Sequence, residues 1–151
     1  MNRLMVKHEG CTGCRICQLV CSSRVVKEGY NLKEAAIHMY TNNFVDIPIV
    51  CRQCKKAPCQ DSCPVGAFSR QATGALTIDE TVCIGCGKCV EVCPFNAIYM
   101  HPSHVSPIKC DLCGGEPHCV KYCPNGVLFL QDETALGAIS GENMRELAGG
   151  I

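Results

Sequence analysis

The sequence predicts an α+β fold of short strands and one-turn helices, with too little apolar material for an ordinary side-chain core. Three observations predict it. Sixteen of the 151 residues are cysteine, and they fall in four groups of one rhythm, at 11, 14, 17, 21; 51, 54, 59, 63; 83, 86, 89, 93; and 110, 113, 119, 123. Hydrophobic residues make up 47 % of the chain, but only about a third once cysteine is set aside, below the usual apolar share. Between the groups the apolar residues occur in short alternating runs. A chain of this length suits one domain that buries roughly two thirds of its unfolded surface, so something other than side-chain packing must hold it together.

Cysteine at this density has two common causes, a disulfide scaffold in an oxidising compartment or metal in a reducing one. The opening residues MNRLMVKHEG show no apolar h-region, small-residue cleavage site or twin arginine, which favours a reduced, cytoplasmic setting in which the cysteines are thiolate ligands. No run approaches the roughly 18 apolar residues of a membrane span. Zinc ribbons also use C-x2-C pairs, but they separate two pairs around one tetrahedral ion. Here a third cysteine follows at once, and three ligands from so short a segment, four times over, suit a larger polynuclear group.

The first and third groups read C-x2-C-x2-C-x3-C, a run that holds 4Fe-4S clusters and whose last cysteine serves the other cluster of a pair. The second, CRQCKKAPC, and the fourth, CDLCGGEPHC, widen only the middle gap. Two-residue gaps let a tight loop wrap three corners of a cube with its amides turned to the sulfurs. Gly13, Gly85, Gly87, Gly114 and Gly115 lie inside these loops, where a missing side chain permits positive φ and close approach. The fourth cysteine comes one helical turn later, and in three groups proline follows it, at Pro64, Pro94 and Pro124, stopping the turn. Ser22 takes that place in the first group, leaving the path after Cys21 less predetermined.

The elements between the groups follow in order. QLVCS, CVEVC and CVKYC are each about one helical turn long. TGALTIDE, 73 to 80, offers a glycine turn and then Leu76 and Ile78 alternating with Thr77 and Asp79; AIYM, 97 to 100, and VLFLQ, 127 to 131, read as further short strands.

Residues 63 to 98, CPVGAFSRQATGALTIDETVCIGCGKCVEVCPFNAI, resemble a two-cluster bacterial ferredoxin along their whole length. With groups one and four around that stretch, the chain resembles the four-cluster iron–sulfur subunits of molybdenum and tungsten oxidoreductases, formate dehydrogenases and hydrogenases, over about residues 7 to 131. The resemblance implies two bacterial-ferredoxin-like 4Fe-4S modules, nested: an inner one of about 51–101 and an outer one of about 7–50 plus 102–131, within a polyferredoxin domain of 1–131. It implies four 4Fe-4S clusters. One is held by Cys11, Cys14, Cys17 and Cys123, a second by Cys51, Cys54, Cys59 and Cys93, a third by Cys83, Cys86, Cys89 and Cys63, and a fourth by Cys110, Cys113, Cys119 and Cys21. With sixteen cysteine ligands, no 3Fe cluster is expected from a lost ligand.

The stretch CTGCRICQLVCSSRVVKEGYNLKEAAIHMY, with Glu28-Gly29, Asn31, Ala36 and Ile37 after the first group, is similar to the small ferredoxin subunits of tungsten-containing aldehyde oxidoreductases; subunits of carbon-monoxide and hydrogenase systems open alike. The partners so implied are a catalytic tungsten or molybdenum pterin subunit and, at the other end, a flavin/NAD-binding subunit. The expected function is to relay single electrons between them, with no catalytic residues in this chain. The alternatives are an iron–sulfur subunit of a formate dehydrogenase, carbon-monoxide dehydrogenase or hydrogenase complex, and a maturation or scaffold protein that carries clusters. Clusters near both ends also raise self-association in series.

The remaining residues add little. Fourteen basic residues balance fourteen acidic ones, so no basic face offers itself to nucleic acid, and no catalytic triad, phosphate loop or dinucleotide fingerprint occurs. Arg15, Lys55, Lys56, Lys88 and Lys109 lie in or beside the groups, either as cations that raise a cluster's potential or as solvated surface charges. His8, His38, His101, His104 and His118 are scattered singly and read as surface or hydrogen-bonding residues, with His118 singled out only because Cys119 follows it. Residues 132–151 hold no cysteine and form a tail, in which Ser140 could cap a helix through Leu147 that ends at Gly149, either folded back or docked on a partner.

Overall fold

The computed structural model describes residues 2–26, 28–42 and 45–132. The C-terminal tail expected from 132 onward therefore lies, but for Asp132, outside the described residues. The order of elements is β1 (Asn2–Val6), α1 (Ile16–Val25), β2 (His38–Asn42), β3 (Val45–Ile49), α2 (Pro58–Asp61), β4 (Phe68–Arg70), β5 (Leu76–Ile78), α3 (Lys88–Glu91), β6 (Ile98–Tyr99), β7 (Ile108–Lys109), α4 (His118–Lys121) and β8 (Leu128–Asp132). The expected α+β character holds.

Among the described residues the strands pair as four two-stranded antiparallel ribbons: β1 with β8, β2 with β3, β4 with β5, and β6 with β7. In the first, Leu4 faces Leu130 and Val6 faces Leu128, so the two ends of the described chain close on one another. A two-stranded ribbon is marginal by itself in water, and each of these depends on what its inner face covers. Leu4, Ile37, Val50, Leu112, Val127 and Leu128 form one buried cluster with Cys17 and Cys119. Ala57, Phe68, Leu76, Ile98 and Cys89 form another. Both cores are small, and both contain cysteine.

The helices repeat a local design. Cys59, Cys89 and Cys119 each lie in a four-residue helix, α2, α3 and α4, and the fourth cysteine of the group follows just beyond its end. Pro58 starts α2 from its first helical position, where its fixed φ suits a helix and its missing N–H is no loss. After each of Cys63, Cys93 and Cys123 the chain makes one turn: the amides of Gly66, Asn96 and Gly126 donate back to those cysteines' carbonyls over 3.4, 3.2 and 3.3 Å. All three residues have positive φ, 63°, 48° and 61°. Glycine and asparagine accept that conformation, and the turn delivers Ala67, Ala97 and Val127, all buried, ahead of β4, β6 and β8.

The first group departs from this design where serine replaces proline. QLVCS is not a single turn; α1 runs ten residues, through Cys17 and Cys21 and on to Val25. Ser22 has an N–H that continues the helix, and its fully buried Oγ accepts from the amide of Asn31 over 2.6 Å. The returning segment is thereby tied beneath α1. The path after Cys21 is determined after all, by a buried hydroxyl instead of a proline ring. Tyr99 of β6 donates its hydroxyl to the carbonyl of Ala35 in the same segment, and its ring meets His38 edge to face with centroids 4.2 Å apart.

Candidate metal centres

The sixteen cysteines line four cavities, four to each. Cys11, Cys14, Cys17 and Cys123 line one, Cys51, Cys54, Cys59 and Cys93 a second, and Cys63, Cys83, Cys86 and Cys89 a third. These three are small and alike in size. Cys21, Cys110, Cys113 and Cys119 line the fourth, which opens into a broader cleft bounded by Arg24, Glu34, Glu80 and His104. Each cavity thus takes three cysteines from one sequence group and one from another. In α1, Cys17 and Cys21 stand four residues apart on one helix yet line different cavities.

The loops are shaped for a guest bound through sulfur. The amides of Ala67 and Ala97 donate to Cys63 Sγ and Cys93 Sγ over 3.3 and 3.4 Å, and that of Leu112 to Cys110 Sγ over 3.4 Å. Such N–H···S contacts orient a ligating sulfur and help set a cluster's potential. All five loop glycines named from the sequence have positive φ. At Gly85 the requirement is double: φ is +67°, and a Cβ there would stand 2.7 Å from the backbone oxygen of Val105. Any side chain would push the chain off this cysteine loop.

Burial pushes the thiols of Cys17, Cys21 and Cys89 up to about 11 and that of Cys119 to about 12, with neighbouring cysteines adding to the rise. Four thiols pressed together in low dielectric cannot all ionise unless a cation joins them. Iron supplies that cation, and four converging thiolates with amides on their sulfurs are the donor set that a 4Fe-4S cluster takes. The residues therefore fit the group.

Of the cations named from the sequence, Arg15, Lys55, Lys56 and Lys88 are exposed. Lys109 is different. It lines the cavity of Cys51, Cys54, Cys59 and Cys93, and its ammonium donates to the carbonyls of Leu76 and Cys110. Burial raises the Cys59 thiol, and Lys109 pulls against that rise. Beside it, Gln53 is buried with φ of 49°; its Oε1 accepts from the Leu76 amide over 2.9 Å, and its Nε2 donates to the Cys110 carbonyl over 2.8 Å. Gln53 is a functional position that the sequence signals only by a glutamine standing inside a C-x2-C pair. The Cys-Pro-x-Gly/Asn turns are a further signal, plain in the sequence once the three groups are aligned. His118, singled out for its place beside Cys119, meets Tyr122 edge to face with ring centroids 6.2 Å apart.

A family model described as a 4Fe-4S dicluster domain matches residues 42–133, and one described as a 4Fe-4S binding domain matches residues 8–29. The chain is 37 % identical over 90 residues to the aliphatic sulfonate oxidoreductase, polyferredoxin-like subunit of Pyrococcus furiosus, a match that covers 58 % of this chain and 51 % of the relative. It is 36 % identical over 90 residues to hydrogenase-4 component A of Escherichia coli, covering 59 % and 43 %. To the electron transport protein HydN of the same species it is 36 % identical over 100 residues, covering 60 % and 55 %. The chain spans about half the length of these curated relatives. Among solved structures, a chain of the active site complex BamBC of benzoyl coenzyme A reductase has the same fold, with a TM-score of 0.53 at 22 % identity over 97 % of this chain and 90 % of that one. With the dicluster pattern matched over more than half its length and sixteen cysteines gathered in fours, the chain belongs to the family of 4Fe-4S dicluster domain proteins.

Proposed function

We propose that this chain is an electron-transfer subunit that relays single electrons through four 4Fe-4S clusters between a catalytic subunit and an acceptor. The observation that carries the reading is the set of four cavities, each lined by four cysteines. Those quartets are the ligand sets the sequence resemblance implies, and they support four clusters rather than two. A bound 4Fe-4S cluster takes up and gives back one electron. The chain's own residues hold the thiolates in place, donate amides to their sulfurs and, at Lys109, supply a cation beside one quartet.

The nested arrangement of modules belongs to the same proposal. It is supported by the pairing of β1 with β8 and the packing of α1 on α4 at the chain's two ends, with α2 packing on α3 between them. The catalytic partner proposed is a tungsten or molybdenum pterin subunit oxidising aldehydes, with a flavin/NAD-binding subunit as acceptor, on the resemblance of residues 11–40. A second reading, a subunit of a hydrogenase or formate dehydrogenase complex, is favoured by the likeness to hydrogenase-4 component A. Anaerobic purification from the native source with the copurifying subunits identified separates the two, and metal analysis of the complex for tungsten, molybdenum and nickel decides. An isolated chain that hands its clusters to an apoprotein, and shows no reversible one-electron steps, overturns both in favour of a cluster carrier.

A further inference from the structure

Two histidines that look isolated in the sequence meet a carboxylate in the fold. Glu34 sits in the 3-10 turn Leu32–Glu34 that follows α1, while His101 and His104 lie between β6 and β7. Glu34 Oε2 stands 2.7 Å from His104 Nε2, and Oε1 stands 3.9 Å from His101 Nδ1. One ligand atom from each of the three residues lies within 4.8 Å of the others. The side chains are only 12, 17 and 28 % exposed for Glu34, His101 and His104. His101 and His104 share one turn, but Glu34 lies 70 residues from His104, so tertiary folding alone has brought the carboxylate to the two rings.

The surroundings hold this trio as a ligating set is held. Asn31 Nδ2 donates to Glu34 Oε1 over 2.7 Å, and Asn31 is itself fixed twice, its Oδ1 accepting from the Lys33 amide and its own amide donating to buried Ser22. Metal-bound carboxylates are characteristically oriented by such a second hydrogen bond. The His104 amide donates to the His101 carbonyl over 2.9 Å, closing a turn that sets the two rings on one side. Their centroids are 6.0 Å apart and the planes tilted by 58°, so the rings do not stack and both can point at a common centre. The amide of Ser103 donates to His101 Nδ1 over 3.3 Å, so the one lone pair of that nitrogen is held by a long hydrogen bond that an incoming ion has to displace.

We propose that Glu34, His101 and His104 form a mononuclear site for a divalent transition-metal ion of the zinc class, separate from the four cysteine quartets. Two imidazoles and a carboxylate are a donor set for zinc or ferrous iron rather than for calcium or magnesium. At metal–ligand distances of about 2.0–2.1 Å, tetrahedral ligand atoms stand about 3.3 Å apart. The observed 2.7 and 3.9 Å separations run to different oxygens of Glu34, and one ligand atom from each residue lies within 4.8 Å of the others, so the rings and the carboxylate must draw together to take one ion. Glu34, Ser103 and His104 all line the cleft beyond Cys21, Cys110, Cys113 and Cys119, which leaves a fourth position for water from that cleft. The ion would pin the segment entering Cys110 to the segment leaving Cys21, the two stretches of chain that meet around that quartet.

The test uses cluster-loaded protein, equilibrated anaerobically with zinc, desalted, and analysed for zinc and iron together. One zinc per chain above the full iron content is expected, and His104→Ala and Glu34→Gln should each cut retained zinc at least tenfold with iron unchanged. Zinc-edge absorption should show a nitrogen and oxygen shell at about 2.0–2.1 Å and no sulfur at about 2.3 Å. Zinc bound through sulfur, zinc retained equally by the variants, or none in wild-type protein of full iron content overturns the proposal. Should a variant lose iron through misfolding, the absorption spectrum of the wild type still decides. Because iron is counted separately, failure here leaves the cluster assignments standing, and their failure would show in the iron alone.

Discussion

Gln53 Nε2 donates to the carbonyl oxygen of Cys110 over 2.8 Å, while Gln53 Oε1 accepts from the amide of Leu76. One buried side chain from within the second cysteine group thus satisfies backbone groups of the fourth group's loop and of β5. It ties the quartet of Cys51, Cys54, Cys59 and Cys93 to that of Cys21, Cys110, Cys113 and Cys119. Replacing it with alanine strands the Leu76 amide away from water, at about 1–3 kcal/mol, and leaves the Cys110 carbonyl to Lys109 alone. Gln53→Ala should therefore lower the thermal midpoint and speed iron loss under chelation, whereas an unchanged midpoint would show that water takes over both groups.

Cys21→Ala removes a cysteine that lies within the first group but lines the cavity of Cys110, Cys113 and Cys119. Its expected consequence is loss or conversion of that one cluster, seen by iron analysis and by electron paramagnetic resonance as one altered signal among four. Loss of the cluster at Cys51, Cys54 and Cys59 instead would mean that the quartets are differently composed.

Lys109 is the cation placed to tune a potential. A positive charge beside a cluster favours its more negative, reduced form. Lys109→Gln should lower the midpoint of one cluster by tens of millivolts, while Lys88→Gln, at an exposed position, should shift none. Equal shifts from both substitutions would indicate a general charge effect rather than a placed residue.

Ser22 should resist replacement by the proline that fills the equivalent place elsewhere. Ser22→Pro puts a ring into the interior of α1 and removes the acceptor of the Asn31 amide, at a cost of about 3 kcal/mol or more. Ser22→Ala keeps the helix but leaves that amide unpaired, at about 1–3 kcal/mol. Denaturation of the cluster-loaded variants should rank them wild type, alanine, proline; proline behaving like wild type would refute the hydroxyl's structural role.

Cluster loss should be steeply acid-promoted. Released thiols in this fold ionise only near pH 11 or 12 at Cys17, Cys21, Cys89 and Cys119, so at any lower pH they take up protons as iron leaves. Falling pH then drives release and rising pH opposes it. Chelator-driven bleaching followed across neutral pH, under conditions where the far-ultraviolet dichroism is retained, measures the effect. Bleaching independent of pH would contradict the buried-thiol account.

Much of this was legible in the sequence. The cysteine rhythm, the loop glycines and the alternation at Leu76 and Ile78 are local properties, set by how few residues can span adjacent corners of a cube and by the period of a strand. The strands β1, β2, β3, β4 and β7 were not legible, because two-to-five-residue strands gain their stability from a partner rather than from their own pattern. The ten-residue length of α1 was missed for a related reason. Nothing local distinguishes a serine that merely follows a cysteine from one whose hydroxyl is buried against Asn31.

By itself, then, the sequence determined the chemistry: sixteen thiols in four groups, with spacings that suit iron–sulfur cubes and a composition that leaves them to hold the fold. Only the tertiary structure decided which distant side chains work together. Gln53 reaches Cys110, Lys109 enters the cavity of Cys59, and Glu34 receives His101 and His104 from about seventy residues away. Ligand spacing within a loop is fixed by covalent geometry, which the sequence states directly. Contacts across the chain are fixed by how strands and helices bury their faces, and those exist only once the chain has folded.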